Sequence, residues 1–257
     1  MDITVFGLQR SGTNFLEQCI KKNVLDVKVK NQWRVGFWKH GYNFEEKPEY
    51  DPEKKLPTGA YGGKEVYRKL LNNEHKFVYI HKHPYNWIQS ICNKKVDILK
   101  TQPDMMNTNK EFPKSDQFFM FEQIDILRTA RFWTMHVKWW YDLRKKIIDL
   151  HGKDPNYYVS YENLIQSSEQ TLWHCKNISE RFGLPYHNVN IVPQTVGQSD
   201  RFSEQKRQNY VEIKLKGFHW NHISEINKYI DKELMDLLGY KIITTETEFN
   251  KHRTSVL

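Results

Sequence analysis

The chain has 257 residues, of which 39% are apolar, 27% charged and 14% aromatic, a composition that allows a well-buried core and excludes a disordered chain. It contains no apolar run long enough to span a membrane, no signal-peptide pattern and only three widely spaced cysteines, so we expect a cytoplasmic protein without disulfides or metal. The net charge of +8 indicates an anionic ligand, substrate or surface, although the basic residues are scattered along the chain and no arm is densely basic.

The first twenty residues predict a strand, a glycine-bounded loop and a helix. Residues 3–6 are apolar or β-branched, which is typical of a strand buried on both faces in a parallel sheet. Residues 7–14 then read Gly-Leu-Gln-Arg-Ser-Gly-Thr-Asn. The apolar residues that follow have helical spacing: Phe15, Leu16, Cys19 and Ile20. In such a loop the backbone N–H groups converge on an anion at the N-terminus of the helix.

The loop resembles a nucleotide-binding P-loop, with one important difference. Gly7 and Gly12 have the P-loop spacing, but Thr13 and Asn14 replace the Lys-Ser/Thr pair that follows the second glycine. The cation lies upstream instead, at Arg10. Without that lysine and a clear magnesium carboxylate, an ordinary NTPase fits poorly. A simple glycine turn between a strand and a helix remains the alternative.

Residues 10–16, Arg-Ser-Gly-Thr-Asn-Phe-Leu, resemble the 5′-phosphosulfate loop of the sulfotransferases that use 3′-phosphoadenosine-5′-phosphosulfate (PAPS). Many members of that family have Lys in place of Arg10. The resemblance implies that five consecutive residues bind the phosphosulfate end of the cofactor: Arg10, Ser11, Gly12, Thr13 and Asn14.

A second strand is expected within residues 27–35, and the segment Gly-Phe-Trp-Lys-His-Gly-Tyr follows at 36–42. Histidine is the side chain best suited to accept a proton near neutral pH, although a histidine that merely ends a strand is the alternative for His40. Several sulfotransferase branches carry a Lys/His cluster here. The resemblance implies that His40 is the catalytic base and that Lys39 assists it. Glu65, which lies in a polar run, is the alternative base.

A second apolar run at residues 77–80 predicts another buried parallel strand. Pro84 ends this strand and can begin a helix, because its missing N–H is not needed there. Lys82, Pro84 and Ser90 have the spacing of the family's 3′-phosphate motif, in which the basic residue and the serine contact one phosphate. Lys82 stands where the family usually has Arg. Two phosphate-binding units in one chain are far less expected by chance than either alone.

Later segments complete the pattern. Residues 99–117 predict a long loop, either a lid over the acceptor site or a disordered insertion, and residues 118–150 predict a long helix. A strand at 157–161 ends in Tyr161, which the resemblance implies packs against the adenine. The resemblance also implies that a basic loop closes over the 3′-phosphate. The nearest match, Lys-Leu-Lys-Gly, contains Lys214 and Lys216.

These patterns predict an α/β fold, a single domain with a central parallel β-sheet flanked by α-helices. The resemblance implies the P-loop NTPase-like sulfotransferase fold. We expect a sulfotransferase domain over residues 1–243 and a loosely ordered tail over residues 244–257.

The function implied is transfer of a sulfuryl group from PAPS to an acceptor hydroxyl or amine, leaving adenosine 3′,5′-bisphosphate. A carbohydrate or small molecule is favoured as acceptor over a protein tyrosine, and residues 36–63 and 96–117 are expected to face it. No metal is needed if Arg10 supplies the charge. Two alternatives remain: a magnesium-dependent P-loop kinase for a small molecule, and a noncatalytic nucleic-acid-binding protein. The sequence does not determine the oligomeric state.

Overall fold

The structure is a computed structural model that describes residues 1–30, 39–46, 63–92, 120–121, 124–187, 189–193, 195–196, 200–201 and 204–254. Its strands are β1 (Asp2–Phe6), β2 (Lys28–Val29), β3 (Lys76–His81), β4 (Met120–Phe121), β5 (Ile124–Asp125), β6 (Tyr157–Ser160), β7 (Thr195–Val196), β8 (Asp200–Arg201), β9 (Leu215–Lys216) and β10 (Arg253–Thr254). Its α-helices are α1 (Thr13–Asn23), α2 (Gly63–Leu71), α3 (Pro84–Cys92), α4 (Ile126–His151), α5 (Tyr161–Leu164), α6 (Ser168–Phe182), α7 (Glu204–Val211), α8 (Trp220–Ile226), α9 (Lys232–Leu237) and α10 (Glu246–His252), and Phe44–Glu46 form a short 3-10 helix.

The chain forms two compact units. The first consists of Met1–His81 and Trp139–Val211, and the second of Lys82–Lys138 and Glu212–Leu257. The first unit contains a four-stranded sheet in the order β2-β1-β3-β6, and every pair in it is parallel. Helices pack on the sheet, so the predicted α/β class with a central parallel sheet flanked by helices is confirmed. Within the ranges given above, no helix is long and apolar enough to cross a membrane.

Both faces of the central strand β1 are buried. Successive side chains of a strand point to opposite faces. Ile3 and Val5 belong to a core that includes Leu16 of α1 and residues of α6, whereas Phe6 packs on the other face against Trp140, with ring centroids 4.7 Å apart. Burial on both faces explains why β1 is a continuous apolar run in the sequence.

The second unit contains α3, β9 and β10. The unit's core includes the fully buried Trp87 and Trp133, and β9 pairs with β10 in parallel. Residues 244–257 were expected to form a loosely ordered tail, but residues 246–254 form α10 and β10. The expectation was wrong for that part because β10 is held through backbone pairing to Leu215–Lys216, which a polar side-chain pattern does not reveal.

Candidate anion-binding site

The loop between β1 and α1 makes a tight turn immediately before the N-terminus of α1. Its two left-handed residues are Arg10, with φ of 66°, and Gly12, with φ of 97°. The N–H and the hydroxyl of Ser11 both donate to the carbonyl of Leu8, at 3.1 and 2.6 Å. The first turn of α1 contains no acidic side chain, and Gly12 offers no side-chain cap. The first N–H groups of α1, together with the helix dipole, therefore favour an anion.

Both glycines of the loop are required by close neighbours. A Cβ on Gly7 would lie 2.2 Å from the carbonyl oxygen of Ile80 in β3, and a Cβ on Gly12 would lie 2.3 Å from Cδ2 of Tyr161. Contacts this short do not occur in real proteins, so neither position accepts a larger residue without movement of its neighbours. The loop is therefore held against β3 on one side and against the Tyr161 ring on the other.

Lys39 and His40 contact this loop and the first turns of α1. The Lys39 ammonium donates to Oδ1 of Asn14 at 2.6 Å and forms an ion pair with Oε1 of Glu17 at 2.7 Å. Nδ1 of His40 lies 2.5 Å from the carbonyl oxygen of Gly7, so Nδ1 carries the proton of the neutral ring and donates it. Burial, with a smaller effect from the Lys39 charge, lowers the pKa of His40 to about 3.

Tyr161 lies against the loop at Gly12. Its ring is 7% exposed and meets the ring of Tyr210 edge-on, with centroids 5.4 Å apart. Burial raises the pKa of the Tyr161 phenol well above its usual value, and the charges of Arg10 and Arg207 oppose that rise. Arg207 is thus a buried cation that acts on the same ring as Arg10, which the sequence reading did not assign. No spacing in the sequence marks Arg207, because Tyr161 lies on a different helix, α5.

In the second unit the structure brings Lys82 and Ser90 together, as their spacing predicted. The Lys82 ammonium donates to Oγ of Ser90 at 3.1 Å, and the Ser90 hydroxyl donates to the carbonyl of Asn86 at 2.8 Å. The side chains of Lys82 and Ser90 are both buried. The indole N–H of Trp133 donates to the carbonyl of Lys82 at 2.8 Å, which fixes the backbone where α3 begins.

The segment containing Lys214 and Lys216 is attached to α3. The Gln89 side chain donates to the carbonyl of Lys214 at 3.0 Å and accepts from the N–H of Lys216 at 2.8 Å. The Lys214 ammonium forms an ion pair with Glu212 at 2.9 Å. Gln89 directly precedes Ser90, so the basic segment is attached to α3 at the residue before the predicted phosphate-binding serine.

Glu65, the alternative base, lies on the surface. Its carboxylate pairs with Arg68 at 2.8 Å and with Lys69 at 3.4 Å. The hydrogen bond from Arg68 is the main cause that lowers the pKa of Glu65 to about 2. A carboxylate held by two cations on an exposed helix face is poorly suited to accept a proton.

The structure thus places eight of the predicted site residues in the first unit and four in the second. The first group is Arg10, Ser11, Gly12, Thr13, Asn14, Lys39, His40 and Tyr161, and the second is Lys82, Ser90, Lys214 and Lys216. The predicted lid at 99–117 lies outside the described residues, as does most of the expected acceptor-facing chain. In the part of the chain that the structure describes, no cluster of three or more His, Cys, Asp or Glu could hold a metal ion.

These features define an α/β protein whose first strand and first helix are joined by a glycine-bounded loop, which is the candidate anion-binding site. In comparisons with known proteins, no protein-family model matches the chain, and no curated protein matches it.

Proposed function

We propose that this protein is a PAPS-dependent sulfotransferase with the sulfotransferase variant of the P-loop fold. The observation that carries the proposal is the buried hydrogen bond, 3.1 Å long, between Lys82, which lies just before α3, and Ser90, which lies in the last turn of α3. The Lys82 cation can contact a phosphate, and the Ser90 hydroxyl can join it once its proton turns from the Asn86 carbonyl to a phosphate oxygen. The neighbouring strand β1 is followed by a glycine loop that carries Arg10. Two βα connections with anion-binding groups suit a nucleotide that is phosphorylated at two positions.

The residues of each connection fit one end of that nucleotide. The loop after β1 offers backbone N–H groups at a helix N-terminus, and a residue larger than Gly12 would not fit beside Tyr161. We assign the 5′-phosphosulfate to this loop and the 3′-phosphate to Lys82 and Ser90. Lys214 and Lys216 are assigned to the 3′ end as well, because Gln89 holds their backbone next to Ser90.

When bound, PAPS supplies the sulfuryl group that passes to the acceptor oxygen or nitrogen. Arg10 stabilises the negative charge that develops on the sulfuryl oxygens and on the leaving phosphate, with the hydroxyl of Thr13 and the N–H groups of α1. His40 accepts the proton of the acceptor. A pKa of about 3 would make His40 a weak base in the ligand-free protein. An anion bound at the loop favours the protonated imidazole, and it therefore raises the pKa of His40 towards neutrality.

The proposal is tested first by ligand binding. Thermal-shift titrations with adenosine 3′,5′-bisphosphate should raise the melting temperature, because a ligand that binds only the folded state stabilises it. The same titration with ATP, with and without Mg²⁺, tests the kinase alternative. The affinity for DNA and RNA, measured over a series of salt concentrations, tests the nucleic-acid-binding alternative.

The second step is an acceptor screen with labelled PAPS, beginning with saccharides and small phenols. Label that appears on an acceptor with the wild type and is absent with Arg10→Asn supports the function. The proposed function would be refuted if adenosine 3′,5′-bisphosphate left the melting temperature unchanged while Mg·ATP raised it.

A further inference from the structure

Lys39 and His40 make four hydrogen bonds here, two with Gly7 of the loop after β1 and two with helix α1. The N–H of Gly7 donates to the carbonyl of Lys39 at 3.0 Å, and Nδ1–H of His40 donates to the carbonyl of Gly7. The Lys39 ammonium bonds to Asn14 and Glu17 in the first two turns of α1, at 2.6 and 2.7 Å. The backbone bonds fix the dipeptide beside the start of the loop, and the side-chain bonds fix it to the helix that the loop begins.

The ion pair between Lys39 and Glu17 is buried, with side-chain exposures of 5% and 8%. Removing two charges from water carries a large desolvation penalty, so a pair of this kind is weak support for stability as such. In some proteins such a pair instead fixes geometry, because breaking the contact would leave an unpaired buried charge, and we take that as the hypothesis for Lys39 and Glu17. Asp2 and Lys30 form a contrasting pair in the same unit, at 3.1 Å and about half exposed.

We propose that Glu17 is a positioning residue: its carboxylate holds Lys39, and through Lys39 it holds His40, against the loop that follows β1. In this arrangement two of the three N–H donors of the Lys39 ammonium are bound by Glu17 and Asn14, so the role we assign to Lys39 is positioning. The assignment of His40 as the group being positioned for proton transfer rests on the proposed function, whereas the attachment of His40 to the loop does not.

The pair also shields His40 from a neighbouring charge. Lys39 disfavours the protonated imidazole, and the Glu17 carboxylate offsets the Lys39 charge. Glu17→Gln should therefore lower the pKa of His40 further. Lys39→Met removes the repulsive charge and leaves a carboxylate nearby, so it should raise that pKa. The double variant, which is neutral at both positions, should lie between the two single variants.

The experiment compares the wild type with Glu17→Gln, Lys39→Met and the double variant, and it uses Asp2→Asn as the matched control from the exposed pair. Imidazole NMR, with the His40 resonances assigned from a His40→Asn variant, reports the bonded Nδ1–H and the pKa. Turnover with PAPS and the melting temperature are measured on the same proteins. The double variant avoids an unpaired buried charge, so it remains informative if a single variant fails to fold.

We expect the bonded Nδ1–H signal to be lost or to exchange rapidly in Glu17→Gln and in the double variant. Turnover should fall about tenfold to a hundredfold, because a displaced catalytic group costs rate even when the protein is folded. The double variant should regain melting temperature but not turnover. Asp2→Asn should change neither. A Glu17→Gln or double variant that keeps the Nδ1–H signal would overturn the proposal, as would a double variant whose turnover recovers with its stability.

The two proposals can fail separately. If His40 loses its Nδ1–H bond in the Glu17 variants while no sulfuryl transfer is found in the wild type, the positioning role stands and the proposed function fails. If transfer is found and the Nδ1–H signal is insensitive to Glu17, the function stands and the positioning role fails.

Discussion

The ring of Tyr161 lies directly over the backbone of Gly12, so that a Cβ on Gly12 would be 2.3 Å from Cδ2 and 2.6 Å from Cε2 of that ring. The two residues come from distant parts of the chain, and their contact fixes the loop where α1 begins. Gly12 also has a left-handed backbone, with φ of 97°. Glycine is therefore required at this position for two reasons: the left-handed backbone disfavours other residues, and the Tyr161 ring leaves no space for a Cβ.

Gly12→Ala should destabilise the protein and abolish binding of adenosine 3′,5′-bisphosphate. The left-handed conformation costs alanine about 1–2 kcal/mol, and overpacking against the Tyr161 ring adds about 1–3 kcal/mol. The control is Gly183→Ala, because Gly183 has a similar positive φ of 63° and no atom within 4 Å of its added Cβ. Denaturant unfolding and ligand titration of both variants are the measurements. Equal loss of stability in the two would show that the Tyr161 contact is unimportant.

Arg10 should be required for turnover because of its charge and not because of its backbone. Arg10 has φ of 66°, a conformation that asparagine tolerates, so Arg10→Asn removes the charge with little strain. Loss of one group that stabilises developing charge should reduce turnover about a hundredfold or more. Arg10→Lys, which keeps the charge, should retain more activity than Arg10→Asn. Single-turnover kinetics with PAPS measure this, and near-normal turnover in Arg10→Asn would refute the assignment.

Lys82→Met should weaken binding of the 3′-phosphate selectively. The substitution keeps a long, unbranched side chain but removes the ammonium that bonds to Ser90. A hydrogen bond to a charged group is worth about 1.5–3 kcal/mol, so affinity for adenosine 3′,5′-bisphosphate should fall about tenfold to a hundredfold. Affinity for adenosine 5′-monophosphate should be nearly unchanged. Calorimetric titration with both nucleotides tests this, and parallel losses for the two would place Lys82 away from the 3′-phosphate.

Sequence patterns predicted the parts of the site that depend on short spacing. The strand and helix around the glycine loop follow from apolar periodicity, and the proximity of Lys82 and Ser90 follows from two helical turns between them. Glu17 was missed, because in sequence it is an ordinary charged residue between apolar positions of α1. Its burial depends on Lys39, a partner 22 residues away. Contacts of that kind are set by tertiary packing, which local patterns do not encode.

Stability should fall as the pH is lowered from about 6.5 towards 4, because several histidines are buried in neutral form. Burial lowers the pKa of His40 to about 3 and of His75, His83 and His174 to about 4. A lowered folded-state pKa means that the unfolded chain binds protons which the folded chain does not. Stability is therefore present above the unfolded-state pKa and is lost below it, by up to about 1.4 kcal/mol per pH unit for each histidine.

The measurement for this pH dependence is urea unfolding at half-unit intervals between pH 4.5 and 7. His174→Gln should reduce the slope of the unfolding free energy against pH by about one proton's worth, or about 1.4 kcal/mol per pH unit. A slope that is the same in the wild type and in His174→Gln would contradict the effect of burial.

Gln89→Leu should loosen the segment that contains Lys214 and Lys216 without removing any side chain assigned to phosphate binding. The substitution removes both bonds that the Gln89 amide makes to the backbone of Lys214 and Lys216, at a cost of about 1 kcal/mol each. If that backbone holds the two lysines at the 3′-phosphate, affinity for adenosine 3′,5′-bisphosphate should fall while affinity for the 5′-monophosphate persists. Gln205→Leu, which removes an exposed bond to Asn209, is the matched control. A loss of stability in Gln89→Leu with unchanged bisphosphate affinity would separate the segment from the ligand and leave Gln89 a purely structural role.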